Sequence, residues 1–417
     1  MSPHSSQNSH KGMAIILPFR AYRPAPHTSA EVASQSYDSY DPDIRDSLIN
    51  GNNASFLKII GGAYKNYPKS PQKRYKAVRK AYEKAIKNRI LIQDPTDSIY
   101  IYKIQTTAGK TYLGAIACLP VASYNSNIIR KHEDTLTARE SVFETYLNTV
   151  NFNAEPVLIS FPDNELVEQL LNQFSQSEPI DQFECSNGHH HSIWVVTQTE
   201  EINTLKSVFK NIPHLYIADG HHRAASSSRL ANMRKDQESQ QFLTFLIPES
   251  QLQILEFNRF ITDLNGHSDE EFLSLLNQSF EVKGLGQQFK LPTKAQQFTL
   301  YLKGQCYELN VVDHYFSGIH NPLEKLDVYI LNTLVFEPIL GITDLKLDVR
   351  AQFAPGNQSV QELQNKVDQG VFKAVFGLYP IAAAEIRKVA DQNLTLPPKS
   401  TYILPKLLSG LTIYDMS

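Results

Sequence analysis

Residues 98–121 read SIYIYKIQTTAGKTYLGAIACLPV, and this stretch decides the fold class. The run 98–105 alternates in the manner of a half-buried strand. Ala108-Gly109-Lys110 supply a tight turn, and 111–121 supply the returning strand. A tight hairpin makes its two strands antiparallel, because a parallel pair needs a crossover of about a dozen residues or more.

Helices and further strands surround this hairpin. Upstream, Tyr75, Val78, Tyr82 and Ile86 recur at three- and four-residue spacing within 70–88. They predict an amphipathic helix with a solvated, lysine-rich outer face. The run NNASFLKII at 52–60 is expected to begin as a capped turn and end as a strand. Downstream, helices are expected over 137–149, 165–174, 269–278, 326–336, 359–369 and 382–393. Strands are expected over 156–161, 191–196, 242–247, 252–257, 298–302, 306–311, 345–353 and 374–379. Strands joined by hairpins favour an α+β fold of mixed, largely antiparallel sheets with packed helices over a doubly wound one. Residues 1–12, polar and rich in Ser and His, are expected to be a disordered tail. Residues 13–250 then carry the main site, and 251–417 form a C-terminal α+β region.

The 417 residues are 41% hydrophobic and 20% charged, which suits a globular protein with a sizeable core. Net charge is −3 and pI about 6.5, without the basic stripe of a nucleic-acid binder. No run reaches the roughly eighteen apolar residues of a membrane span. The amino-terminal tail lacks the apolar centre of a signal peptide. No nucleic-acid or membrane partner is therefore expected, and the expected location is the cytoplasm. Cys118, Cys185 and Cys306 form no CxxC pair and no zinc spacing, as suits a reducing compartment. Neither GxGxxG nor GxxxxGK[ST] occurs, so Rossmann and P-loop nucleotide sites are unsupported.

Reactive residue types concentrate at 216–223, YIADGHHR. A short apolar run stops at Asp219-Gly220, and AASSSRL at 224–230 reads as a helix start. Helix N-termini favour anions through unpaired N–H groups and the dipole. Gly220 permits a positive φ, and Arg223 is able to grip a phosphate or carboxylate with two nitrogens. A plainer alternative makes Asp219 a helix cap, pairs Arg223 with a surface acid, and leaves His221 and His222 merely polar. Arg130-Lys131-His132-Glu133 with Thr135 puts two cations, an imidazole and a carboxylate side by side, or is a charged loop. Lys399-Ser400-Thr401, with Lys406 nearby, offers an ammonium and two hydroxyls to a phosphate, or is a proline-punctuated loop. His189-His190-His191 point in alternating directions on an extended chain and make a poor zinc site. His191 and Trp194 remain possible supports for the main site.

Leu17-Pro18-Phe19-Arg20, Tyr37-Asp38, Tyr124, His132-Glu133-x-Thr135, Trp194, 216–223, Leu326-Asp327 and 397–410 together resemble the bacterial and archaeal family called domain of unknown function 1015. The turn Asp219 to Arg223 also resembles that of the free serine kinases, whose core is related to ParB and sulfiredoxin and whose equivalent turn binds nucleotide phosphates. The resemblance implies a ParB/sulfiredoxin-like core within 13–250. Two departures stand out. Gln35-Ser36 replaces the family's usual Pro-Pro before Tyr37-Asp38, and Val142-Phe143 replaces its usual Asp-Arg, which leaves substrate identity open.

The resemblance implies a small-molecule kinase that moves a phosphoryl group from ATP or ADP to a hydroxyl acceptor, with free L-serine the leading candidate. Phosphoryl transfer rests on cation clamps, a metal and an oriented nucleophile. Gly220, His221, His222 and Arg223 are expected to bind phosphate, with Lys399, Ser400 and Thr401 completing the cradle. Glu133, beside His132, is the expected base, with Asp219 an alternative base or a magnesium ligand, since Mg2+ suits carboxylate oxygens. The rival reading is a ParB-like nucleotide-binding and hydrolysing switch without a small-molecule acceptor. Oligomeric state is left open.

Overall fold

The computed structural model describes residues 12–61 and 70–417, apart from the Asp38 side chain. Residues 1–11 of the expected tail lie outside the described residues. The chain divides into two compact units. The first takes the described residues of Met1–Lys131, Thr135–Leu252 and Pro405–Ser417. The second takes His132–Asp134 and Gln253–Leu404.

Among the described residues, the first unit is built on an eight-stranded sheet. Its order is Ile129–Arg130, Leu215–Asp219, Val157–Phe161, Gln241–Pro248, Thr111–Pro120, Ile99–Gln105, His190–Val196 and Asp181–Glu184. Only the pairs of Leu215–Asp219 with Ile129–Arg130 and of Gln241–Pro248 with Val157–Phe161 are parallel. The expected hairpin is present: Gln105 pairs with Thr111, and Gly109 sits in the turn at φ +81°. Strand alternation sends Ile99, Ile101, Ala115, Ala117, Ile159 and Ile217 to one face. There they meet Val167 and Leu171 of the helix Glu165–Phe174, Leu205 and Phe209 of Thr199–Phe209, and Ala224 and Ala231 of His221–Arg234.

The second unit carries a six-stranded antiparallel sheet. Its order is Phe280–Gly286, Gln305–Val311, Gln297–Leu302, Ala374–Gly377, Phe257–Ile261 and Ala351–Pro355. Largely antiparallel sheets with packed helices thus describe both units, and the eight-stranded sheet is the mixed one.

Two expectations fail locally. The run 52–60 ends in the helix Phe56–Gly61, not in a strand. Ser55 Oγ accepts the Leu57 N–H at 3.2 Å, and Phe56 and Ile59 pack with Val78 and Tyr82 of the helix Pro71–Lys87. Helical packing overrides the β-preference of a short apolar run, which periodicity alone does not resolve. The run 345–353 is a strand only from Ala351 onward, within Ala351–Pro355. Before that, Asp344 and Asp348 accept the N–H groups of Lys346 and Arg350, and Arg350 reaches the carbonyl oxygen of Leu340. These local side-chain bonds compete with a ladder and leave Leu347 and Val349 exposed.

The expected helix 326–336 divides into Asp327–Leu331 and a π-helical turn, Asn332–Phe336. Asp327 is buried, and its Oδ1 accepts the Gln296 N–H at 2.7 Å. Burial pushes its carboxyl up to about 7, with a lesser contribution from Glu385. An acid raised in the folded state stabilises it fully below the unfolded pKa and loses that contribution as pH rises through the folded value. Denaturant unfolding is therefore expected to show stability falling between about pH 4 and 7. The rise from 3.8 to about 7 corresponds to on the order of 4 kcal/mol. An Asp327→Asn chain is expected to lack that slope, and an unchanged slope refutes the assignment.

Candidate functional site

The strand Leu215–Asp219 delivers the site. Its pairing with Val157–Phe161 shifts register between Ile217 and Asp219, so Ala218 has no counterpart. Such a bulge increases local twist and re-aims the side chain that follows, here Asp219. Gly220 comes next at φ +96° and ψ 29° and opens the helix His221–Arg234. A side chain is doubly disfavoured there. Positive φ costs any L residue energy, and a Cβ would stand 2.8 Å from Arg223 Nε.

Arg223 turns its guanidinium back across this glycine. Nη2 donates to Asp219 Oδ2 at 2.8 Å, and Nη1 donates to the Pro156 carbonyl at 3.0 Å. Nη1 also lies 2.5 Å from Glu155 Oε1. Lys406 Nζ donates to the other Asp219 oxygen, Oδ1, at 3.0 Å. Ser409 Oγ donates to Glu155 Oε2 at 3.2 Å. Two carboxylates and two cations therefore form one cluster whose formal charges cancel.

The two cations differ in availability. Arg223 is held by three acceptors and acts as a strut between the strand ends. The Asp219–Lys406 pair is 37% and 36% exposed, a class of ion pair worth about 0–1 kcal/mol. Lys406 is thus the cation an incoming anion recruits at least cost. The first-turn N–H groups of any helix lack an intrahelical acceptor, and Gly220 has no side chain with which to cap them.

The rest of the helix is tied down. Residues 224–228 are small and buried. Ser226 and Ser227 donate back to the carbonyls of His222 and Arg223. Ser228 donates to Asn125 at 2.7 Å, and Arg229 to Glu144 at 2.7 Å. His221 is buried and His222 half-buried. The turn is therefore mounted on a rigid element, as a precise binding site requires.

The other expected site residues sit as follows. Arg130 bonds His214 at 3.1 Å, and Lys131 lies 4.4 Å from the Tyr124 ring centre, both within the first unit. His132 and Glu133 belong to the second unit. His132 is buried, and its carbonyl accepts the Leu396 N–H at 2.8 Å. Glu133 is exposed, beside an Asp134 that bonds Thr395 at 3.0 Å. Lys399, Ser400 and Thr401 are also in the second unit. Lys399 is exposed at φ +54°, while Ser400 is buried with its hydroxyl donating to the Pro397 carbonyl at 2.6 Å.

His191 and Trp194 lie near the opposite edge of the eight-stranded sheet from Leu215–Asp219, which ends any supporting role. Tyr102 bonds His191 Nδ1 at 2.7 Å, and burial lowers that imidazole to about 4. Burial likewise raises the Cys185 thiol to about 11, far from a reactive thiolate. Glu155 and Ser409 carry no sequence signal toward this turn, and Lys406 carries one only beside the Lys399 turn. A lone acid before a proline and a lone serine near 410 form no pattern with residues at 219–223. Among the described residues, no group of three or more His, Cys, Asp or Glu side chains is arranged to hold a metal ion. Both Asp219 oxygens face cations, so a resident magnesium there has to displace one.

No helix among the described residues is long and apolar enough to cross a membrane. No curated protein matches the chain. Among solved structures, a free serine kinase variant in complex with AMP aligns at TM-score 0.38 and 10% identity, covering 72% of this chain and 91% of that one. A variant in complex with ADP aligns at 0.38 and 10%, covering 75% and 94%. SbnI with a C-terminal truncation, from Staphylococcus aureus, aligns at 0.38 and 12%, covering 72% and 87%. The model of one sequence family, described as "Protein of unknown function (DUF1015)", matches residues 16–329. That match takes in most of the chain, the Asp219–Arg223 turn included, and the protein belongs to this family.

Proposed function

We propose that the protein is a nucleotide-dependent phosphotransferase acting on a small hydroxyl-bearing metabolite, with free L-serine as the first acceptor to test. The observation that carries this is the left-handed Gly220 between a strand end and a 14-residue helix, with Lys406 at hand and Arg223 bracing the turn. In this reading the first-turn amides of Gly220, His221 and His222 receive nucleotide phosphate. Lys406 leaves its exposed pairing with Asp219 to meet the same charge. Such preset donors stabilise charge that develops in transfer at little reorganisation cost.

Asp219, relieved of Lys406, is then able to orient the acceptor hydroxyl. Glu133 with His132 as base, and Lys399, Ser400 and Thr401 as further phosphate contacts, rest on residue chemistry and on the sequence resemblance. Magnesium enters this proposal only on the nucleotide, as part of the substrate. The ParB-like switch remains the alternative and differs in needing no acceptor. Incubation with ATP or ADP, magnesium and L-serine is expected to yield phosphoserine. Nucleotide turnover indifferent to serine favours the switch. The absence of phosphoserine above an Asp219→Asn control sinks the serine kinase.

A further inference from the structure

In the second unit, the strand Phe257–Ile261 places Phe257 and Arg259 on one face and Asn258 on the other. Arg259 stands directly opposite Phe353 on the neighbouring strand, and its guanidinium carbon lies 4.4 Å from that ring's centre. Nη1 donates to the Phe257 carbonyl at 2.8 Å, and Nη2 donates to the Lys399 carbonyl at 2.9 Å. The Lys399 ammonium in turn lies 5.5 Å from the centre of the Phe257 ring. Phe257 packs edge-on against both Phe353 and Tyr402. Two cations thus share one aromatic bed.

What this cluster lacks is negative charge. Arg259 is 2% exposed, yet both of its hydrogen-bond acceptors are neutral carbonyls. Buried arginines are ordinarily paired, because an uncompensated charge in the interior is costly. Burial alone lowers this guanidinium, to about 9, with no carboxylate opposing the shift. The nearest acid in sequence, Glu256, is occupied by the Asn258 amide at 3.2 Å. Lys399 has no carboxylate partner among the described residues either, and its ammonium is exposed.

We propose that Lys399 and Arg259 form an oxyanion subsite in the second unit, which takes the carboxylate or phosphate group of a small ligand. Lys399 makes the contact. Arg259 holds the Lys399 carbonyl, fixes a turn whose φ of +54° few side chains adopt unaided, and adds positive potential that solvent screens poorly. Arg259 is in this sense a positioning residue. The subsite draws on the phosphotransferase reading for the identity of the ligand, but its oxyanion chemistry stands without it.

The test is calorimetric titration of the full chain with AMP and, separately, with L-serine. Wild type is compared with Lys399→Gln, which changes an exposed side chain, and with Arg259→Lys, which keeps the charge but loses the fork. At least a tenfold loss of affinity for one probe in Lys399→Gln, and a smaller loss of the same probe in Arg259→Lys, is expected. Loss of L-serine alone assigns the subsite to a carboxylate, and loss of AMP assigns it to a phosphate. Unchanged affinity for both probes in Lys399→Gln, or no binding of either by wild type, overturns the proposal. Retained probe binding that Lys399→Gln weakens, in a protein that transfers no phosphoryl group, leaves the subsite standing and removes the kinase.

Discussion

Replacing Arg223 by alanine is expected to weaken AMP or ADP binding at least a hundredfold and to lower unfolding stability by about 2 kcal/mol. The change removes one guanidinium from three acceptors, Asp219, Glu155 and the Pro156 carbonyl. Asp219 and Glu155 then lose the guanidinium they share, and Asp219 holds Lys406 the more tightly, away from a phosphate. Lysine is not expected to rescue the loss, because an ammonium lacks the planar fork that spans these acceptors. Calorimetric titration with AMP and urea unfolding at one pH decide the matter. Nucleotide affinity within threefold of wild type rules out the turn as a nucleotide site.

Gly220→Ala carries the second large expectation. The left-handed backbone alone costs an alanine about 1–2 kcal/mol. The added Cβ also meets Arg223, whose Nε, Nη2 and Cζ would lie 2.8–3.0 Å away. Arg223 has to move, so nucleotide affinity is expected to fall together with stability. Gly109→Ala separates the two causes. It imposes a similar strain at φ +81° in the hairpin turn, where an added Cβ meets nothing within 4 Å. That chain is expected to be less stable but to bind AMP as wild type does. Equal affinity in both alanine chains contradicts the role given to Arg223.

The parts of this protein that declared themselves in sequence are those governed by near neighbours. The hairpin at 98–121 was legible because alternation and its turn glycine act over a few residues. The strand–glycine–helix turn at Asp219–Arg223 was legible for the same reason. The segment 345–353 misled because its alternating Leu347 and Val349 mimic a strand, while Asp344 and Asp348 bond the local backbone and hold it in turns. The partners of the turn were hidden for a different reason. Glu155 and Lys406 reach Arg223 and Asp219 only through tertiary folding, and an isolated acid or lysine carries no periodicity. Arg259 was hidden likewise, since its meaning lies in which acceptors surround it.

The Asp219–Lys406 pair also has a temporal side. Lys406 is 187 residues further along the chain than its partner, and most of the residues between them build the other unit. At roughly 5–20 residues per second of synthesis, on the order of ten to forty seconds separate the two on the ribosome. A nascent first unit therefore has Asp219 and Arg223 in hand well before it has Lys406 or Ser409. Its turn is complete only after the polypeptide for the second unit has been made.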